Sequence, residues 1–446
     1  MAGNRAGNSP RHFGEPRAAR MLCVLLFAAA LWSVTSEGHA HIIHGDPHNY
    51  RVLLGQLKPG DVLQLAPGEY DGLPIRNLHG RADAPITVTG HADRTVIVAN
   101  PIRNTVSIIN ASHVIIRDLH LDGRGIVTDG VVCERESAWA HHITIQNLAM
   151  INFAADRFTV GIATRCPAWG WIIRANRIIR PGTGMYLGGS DGTAPFFAAI
   201  IEDNEIHNPI GYGIQIKHQI TRPQIESMPS TKSVTVIRRN RIVKSDGAST
   251  GADARPSLLV GHFPVAGAGS SDSYVIHSNV FYDNPSEALF QGEGNVALYN
   301  NVLVNPHGDA VNFRPHNGRP RAVYMFHNTV IAAGVGISVE GGDPDFEQYV
   351  GGNVVFASRP LEGAIGGRNF IAGRDRARVH LVNPDGPLPE LDLNPRDDTF
   401  NAGQDVPTAM QQFPDARADF LGTSRTAPTF GACLKRTDGP TSRPCR

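Results

Sequence analysis

Eight short stretches of the chain repeat one pattern, and none of them can fold alone. "ITIQNLAMIN", "WIIRANRIIR", "AIIEDNEIHN", "TVIRRNRIVK", "YVIHSNVFYD", "ALYNNVLVNP", "YMFHNTVIAA" and "YVGGNVVFAS" each run through alternating apolar residues into an asparagine, then add one or two apolar residues. The asparagines are Asn147, Asn176, Asn204, Asn240, Asn279, Asn301, Asn328 and Asn353, and a related unit with Asp118 precedes them. Most units are followed by a second short strand such as "GIATR", "GMYLG", "GIQIK" or "GISVE". Strands of about four residues bury too little apolar surface to stand singly, so the units must stack, each as one turn of a coil with strands about 4.8 Å from those of the next turn. An asparagine at the same bend in every turn can take the left-handed conformation and hydrogen-bond to its copy, giving an internal ladder. A propeller would need four strands in every ~40 to 50 residues, which these intervals do not accommodate.

The expected fold is therefore all-β, a parallel β-helix of about 9–11 coils. It spans residues 41–385, with an irregular tail over 386–446 packed along its outside. Abundant glycine (47) and proline (31) suit a body of short strands and turns. Asp46 followed by Pro47 reads as a helix N-cap, placing Tyr50, Leu53, Leu54 and Leu57 on one face of a short helix that covers the open end of the stack. Over residues 41–370 the chain resembles the right-handed parallel β-helix proteins of the pectate-lyase-like superfamily. "LGQLKPGDVLQLAPGEYDGLPIRNLHGRADAPITVTG" (54–90) is similar to the opening coils of the polysaccharide lyase family that holds chondroitinase B and alginate lyases. "DFLGTSRTAPTFGA" is similar to the closing segment of many secreted β-helix proteins. "DPHN" (46–49) resembles the Asp-Pro-His motif of alginate epimerases, but it falls in the predicted end cap.

Strand period separates inside from outside. It turns Ile162, Met185, Leu187, Ile214, Ile216, Leu258, Val260, Val311, Phe313, Ile337 and Val339 inward. It turns Glu134, Arg165, Tyr186, Gln215, Lys217, Asn312, Arg314, Ser338 and Glu340 outward, along one polar groove suited to an extended polymer. His218, His262, Glu293 and His316 sit just beyond the strands. The insertions 219–232, 244–256 and 262–272 are expected to wall this groove.

Cleavage of a uronate polymer by β-elimination needs a base, a positive group on the carboxylate and a donor for the leaving oxygen. Lys217 is the candidate base, Arg314 or Arg255 the carboxylate partner, and His218 or His316 the donor. Arg165, Tyr186, Gln215, His262, Asn312 and Glu340 are the expected substrate contacts. The resemblance implies a Glu-rich calcium-binding segment before the catalytic lysine, whereas "GIQIKH" has Gln215 and no acidic residue there. No cofactor is therefore required, and Ca2+ stays open with its expected ligands missing. Three readings follow: a protein that binds and cleaves acidic polysaccharide as a lyase, a non-catalytic glycan-binding or surface-structural protein, and, third, a carboxylate-based glycoside hydrolase.

With 41 basic and 41 acidic side chains the chain has no global field for nucleic acid. Arg5, Arg11, Arg17 and Arg20, the apolar run from Met21 to Val34 and the small residues Gly38 and Ala40 read as an export signal over 1–40. That run of 14 residues is shorter than the ~20 that span a bilayer. The expected product is a secreted, periplasmic or extracellular monomer without membrane contact. Cys133, Cys166, Cys433 and Cys445 then remain, an even number that favours disulfides. Of the three pairings open to them, Cys133 with Cys166 and Cys433 with Cys445 is the one expected. Their spacings match no zinc signature.

Overall fold

The computed structural model describes residues 41–245, 247–363, 366–402, 408–436 and 444–445, so the expected export signal lies outside the described residues. Short β-branched strands pair in parallel from one turn of the chain to the next, and three such files of strands wrap one interior. The first file includes Ile172–Arg174, Ile200–Glu202, Val234–Arg238 and Ser273–His277, each in register with its successor. The second includes Arg177–Ile179, Glu205–His207, Arg241–Val243 and Val280–Tyr282. The third includes Val160–Thr164, Thr183–Leu187, Ile214–Ile216, Leu258–Val260, Phe290–Gly292 and Val311–Phe313. This is a right-handed parallel β-helix, the hand that parallel crossovers adopt.

Register sets the core. Ile145, Ile173, Ile201, Ile237 and Ile276 stand directly over one another in the first file, all fully buried. Ile162, Met185, Ile214, Leu258, Phe290 and Val311 do the same in the third. Every inward residue expected from the strand period belongs to this one core.

The asparagine ladder differs from expectation in two ways. It runs from Asn176 through Asn204, Asn240, Asn279, Asn301, Asn328 and Asn353 to Asn369, each Nδ2 donating to the next Oδ1 at 2.8–3.0 Å. Asn147 is not a rung. Gln146 pairs with Arg174, so Asn147 stands opposite Ala175, and its Nδ2 donates to Asp118 Oδ1 instead. The ladder residues are not left-handed either. For the rungs from Asn176 to Asn328 the residue before is: Ala175, Asp203, Arg239, Ser278, Asn300 and His327 have φ of 51–57°, and Gly352, before Asn353, has φ 75°. That residue makes the bend between the first and second files, and the asparagine after it is left pointing into the stack.

At the start of the stack the Asp46 carboxylate accepts the N–H groups of His48 and Asn49, ahead of a helix over Tyr50–Leu54. Tyr50 and Leu54 are buried, with Leu53 and Leu57 packed beside them on the first turns. At the other end the parallel coils finish with Phe370–Ala372, and Leu381–Asn383 pairs antiparallel with Asp392–Pro395. Leu391, Leu393, Phe400 and Phe430 pack on Val280, Val302, Ile331 and Val354 of the second file. Met410 and Ala416 pack on Val275, Tyr299 and Phe326 of the first. Neither cluster includes an outward residue of the third file. Cys133 is bonded to Cys166 across adjacent coils, and Cys433 to Cys445 within the tail. Among the described residues no helix is long and apolar enough to cross a membrane.

Candidate functional site

The outer face of the third file carries the polar residues of interest. Ala163, Tyr186, Gln215 and Leu259 follow one another in register. One step past the strand ends runs a second row. Arg165 bonds back to Cys133, Lys217 to Leu187, Gly261 to Ile216 and Glu293 to Val260 through their backbone N–H groups. Lys217 therefore stands between Gly188 and Gly261 in the stack, with no side chain directly above or below it. Both glycines are needed. A Cβ on Gly261 would lie 2.4 Å from the His218 nitrogen, and Gly188 has φ +97° with the Lys217 Cβ only 3.2 Å from its own missing one.

The gap opens into a cleft of about 700 Å³. Five cations line it, Arg135, Arg157, Arg165, Lys217 and Arg255, together with Phe158, Tyr186, Tyr212 and Gln215, whereas Asp191 is its only carboxylate among the described residues. The 188–194 segment forms a wall, shaped where Asp191 Oδ1 accepts the Thr193 N–H and hydroxyl at 3.0 and 2.7 Å. Acids behind the lining hold two arginines in place: Arg157 donates to Asp253 at 3.0 Å, and Arg165 pairs with the buried Asp129. Arg255 donates to the Ala252 carbonyl at 3.1 Å and lies 5.9 Å from the Tyr212 ring centre.

Lys217 is half-buried, and its Nζ makes no hydrogen bond or ion pair with a described residue; the Tyr186 ring centre is 5.9 Å away. Burial lowers its pKa, opposed by the negative charge of Glu293. Burial also raises the pKa of Tyr186 and of Tyr212, keeping both phenols protonated. Gln215 is buried at the base of the cleft, and its Oε1 has no hydrogen-bond partner. A ligand hydroxyl is the kind of donor that would satisfy it.

The expected site residues therefore divide. Lys217, Gln215, Tyr186, Arg165 and Arg255 share the cleft. His218 stands beside it with its ring 5.6 Å from that of His262, and burial, then Lys217, lowers its pKa. His262 Nδ1 is 2.7 Å from the Phe263 carbonyl oxygen. Glu293 is a loop clamp: its carboxylate accepts the N–H groups of His262, His316, Asn317 and Gly318. His316 is exposed. Arg314 lies three coils beyond Lys217 and donates to Gln291 at 3.0 Å, outside the cleft lining. Asn312 shares that coil, and Glu340, one coil further, accepts from Ser338 at 3.1 Å.

The insertions also distribute differently from expectation. Residues 244–256 bring Arg255 to the cleft, but 219–232 do not line it. Gln219 donates to the Phe196 carbonyl at 3.1 Å, and Arg222, stacked 3.5 Å from the Phe197 ring centre, is paired with Asp272. The 219–232 and 262–272 loops are thereby tied together next to the first file. Arg135, Arg157 and Tyr212 were missed because they lie on turns, where no period assigns a direction.

The fold class is that of the right-handed β-helix, and the family model for a right handed beta helix region matches residues 160–354. Among solved structures, an alginate lyase from Paenibacillus sp. str. FPU-7 is 16% identical over 75% of this chain and 100% of its own, with a TM-score of 0.49. Pectate lyase Pel9A is 13% identical over 89% and 96%, with a TM-score of 0.46. A GH136 lacto-N-biosidase from Eubacterium ramulus is 11% identical over 75% and 68%, with a TM-score of 0.40. At these levels the likenesses add nothing to the architecture already read from the strand pairing. No curated protein sequence matches the chain.

Proposed function

We propose that this is an exported protein that binds an acidic polysaccharide in the cleft of the third file and cleaves it as a lyase. One observation carries the reading: five cations and two tyrosines converge on a cleft lined, among the described residues, by a single carboxylate. A run of uronate carboxylates matches that charge, and the open coil face suits a chain longer than the cleft. Two disulfides fit an oxidising compartment.

In the proposed reaction Arg255 and Arg165 hold the uronate carboxylate and stabilise the charge that develops on it. Neutral Lys217 takes the proton from the adjacent ring carbon, the electron pair forms a carbon–carbon double bond, and the glycosidic C–O bond breaks. The Tyr186 hydroxyl delivers a proton to the leaving oxygen. Tyr186 takes the donor role assigned from sequence to His218 or His316 because it lines the cleft and they do not. A retaining or inverting hydrolase uses a pair of carboxyl groups about the scissile bond, and Asp191 stands alone.

The test is incubation with alginate, polygalacturonate and glycosaminoglycans, followed by ultraviolet absorbance of unsaturated ends. Lys217→Ala should lower turnover by about 100-fold or more while retaining most binding, as loss of a general base does. Saturated products would identify a hydrolase. Binding without any product would favour the non-catalytic reading, to which the same cationic cleft is equally suited.

A further inference from the structure

Three histidines converge on a different face of the coil. Ala111–Asp122 and Ala140–Ile151 are adjacent long strands that run through the first file into the second, with His141 opposite Ser112 and Ile143 opposite Val114, so His142 stacks on His113. His113 and His142 both have φ of 52°. Left-handed residues are common at the bends of this coil, so the conformation alone carries nothing. Its consequence here is specific. In an extended strand neighbouring side chains point to opposite faces, but the left-handed His142 breaks that alternation and brings its Nδ1 to 2.8 Å from the Nδ1 of His141. A contact of that kind requires at least one ring to offer a lone pair. The His113 ring lies 4.5 Å from that of His142 and nearly parallel to it.

One ligand nitrogen from each of the three residues lies within 4.8 Å of the others, the one such cluster among the described residues. A tetrahedral ion with bonds of ~2.0–2.1 Å to imidazole holds its ligand nitrogens about 3.3 Å apart and lies in the plane of each ring, so binding requires the stacked His113 and His142 rings to turn out of their parallel arrangement. The surroundings leave room and hold the ligands. The next residue in the row is Gly170, where a Cβ would sit 2.9 Å from the His142 ring. His141 is buried against Trp169, rings stacked at 4.7 Å, with Trp139 at 4.9 Å on another side. His142 is exposed, so an ion bound there would face solvent.

We propose that His113, His141 and His142 form a binding site for one divalent transition-metal ion, with three imidazole ligands and a coordination position open to water. Imidazole donors without carboxylates favour zinc, copper or nickel over calcium or magnesium. The site is separate from the cleft, and none of the proposed lyase steps uses it.

Untagged, chelator-treated protein titrated with Zn2+ in a calorimeter should bind one ion per chain. His141→Gln and His142→Asn should each weaken binding at least ~100-fold, since loss even of an outer-shell partner costs 10–100-fold. Asparagine tolerates the left-handed conformation, so His142→Asn keeps the bend. His48→Gln, at the far cap, should change nothing. Anomalous diffraction from Zn2+-soaked wild-type crystals should place the ion among the three rings, a readout independent of the variants' folding. Absence of saturable Zn2+ binding, its survival in the double variant, or an ion found only elsewhere would overturn the proposal.

Discussion

Lys217 combines three properties seldom found in a surface lysine: partial burial, no anionic partner in contact, and a glycine on each side along the stack. Burial favours its neutral form, and only the charge of Glu293 works the other way. As a base it must be neutral, so kcat/KM on an acidic polysaccharide should rise with pH through its lowered pKa. A fall is expected only above the raised pKa of the Tyr186 donor. Glu293→Gln keeps an amide oxygen for the N–H groups of His316, Asn317 and Gly318 but removes the charge that favours protonated Lys217. The ascending limb should then move to lower pH, and a limb that stays put or moves upward would exclude Lys217 as the titrating base. Strand period was enough to place Lys217, Gln215, Tyr186 and Arg165 on one outer face, because each sits in or directly after a paired strand. It said nothing of Arg135, Arg157 or Tyr212, and it could not separate Arg314 from the cleft, since the pattern orders coils without giving the extent of the pocket.

The unit of stability in this chain is the bend, not the strand. Asn279 accepts the Asn240 N–H and Nδ2, and donates to Ile237, His277 and Asn301, all away from water. Asn279→Ala would strand several of these groups at once and should cost about 2–4 kcal/mol in urea unfolding, beyond the loss of one ordinary hydrogen bond. A change under 1 kcal/mol would mean that the ladder is incidental. The preceding position makes the opposite prediction. Ala175 is exposed with φ 55°, a conformation that strains a Cβ by roughly 1–2 kcal/mol and glycine hardly at all. After the larger unfolded-state entropy of glycine, Ala175→Gly should stabilise by about 0.5–1 kcal/mol, and destabilisation would place the bend's strain elsewhere. This division of labour also explains the misreading at Asn147. Asparagine is favoured both in the left-handed slot and in the ladder slot one residue later, so the residue type alone does not identify which it fills. Only the register, Gln146 against Arg174, decides.

On the scale of the whole molecule, the tail packs on two faces of the coil, the second and first files, so its seat should set how the protein fails in acid. His277 lies under that seat. It is 1% exposed and stacked on Tyr299 at 5.0 Å, and the Tyr299 hydroxyl bonds the Pro414 carbonyl while Asn300 donates to Asp415 and Ala418. Burial holds the His277 pKa down to about 4, and its Nε2 has no partner to welcome a proton. The unfolded chain protonates near the ordinary value of about 6.5, whereas the folded chain does not until about 4. Stability is therefore complete above pH 6.5 and declines as the pH falls toward 4, by about 3 kcal/mol from this residue. His277→Phe keeps a ring against Tyr299 and cannot titrate. Its unfolding free energy, measured at pH 7 and again at pH 4, should fall by about 3 kcal/mol less than that of the wild type, with His327, also buried with a lowered pKa, accounting for part of what remains. If the two proteins lose stability in parallel across that interval, acid does not act through the tail's seat on the first file, and the carboxylates of the loops become the groups to examine.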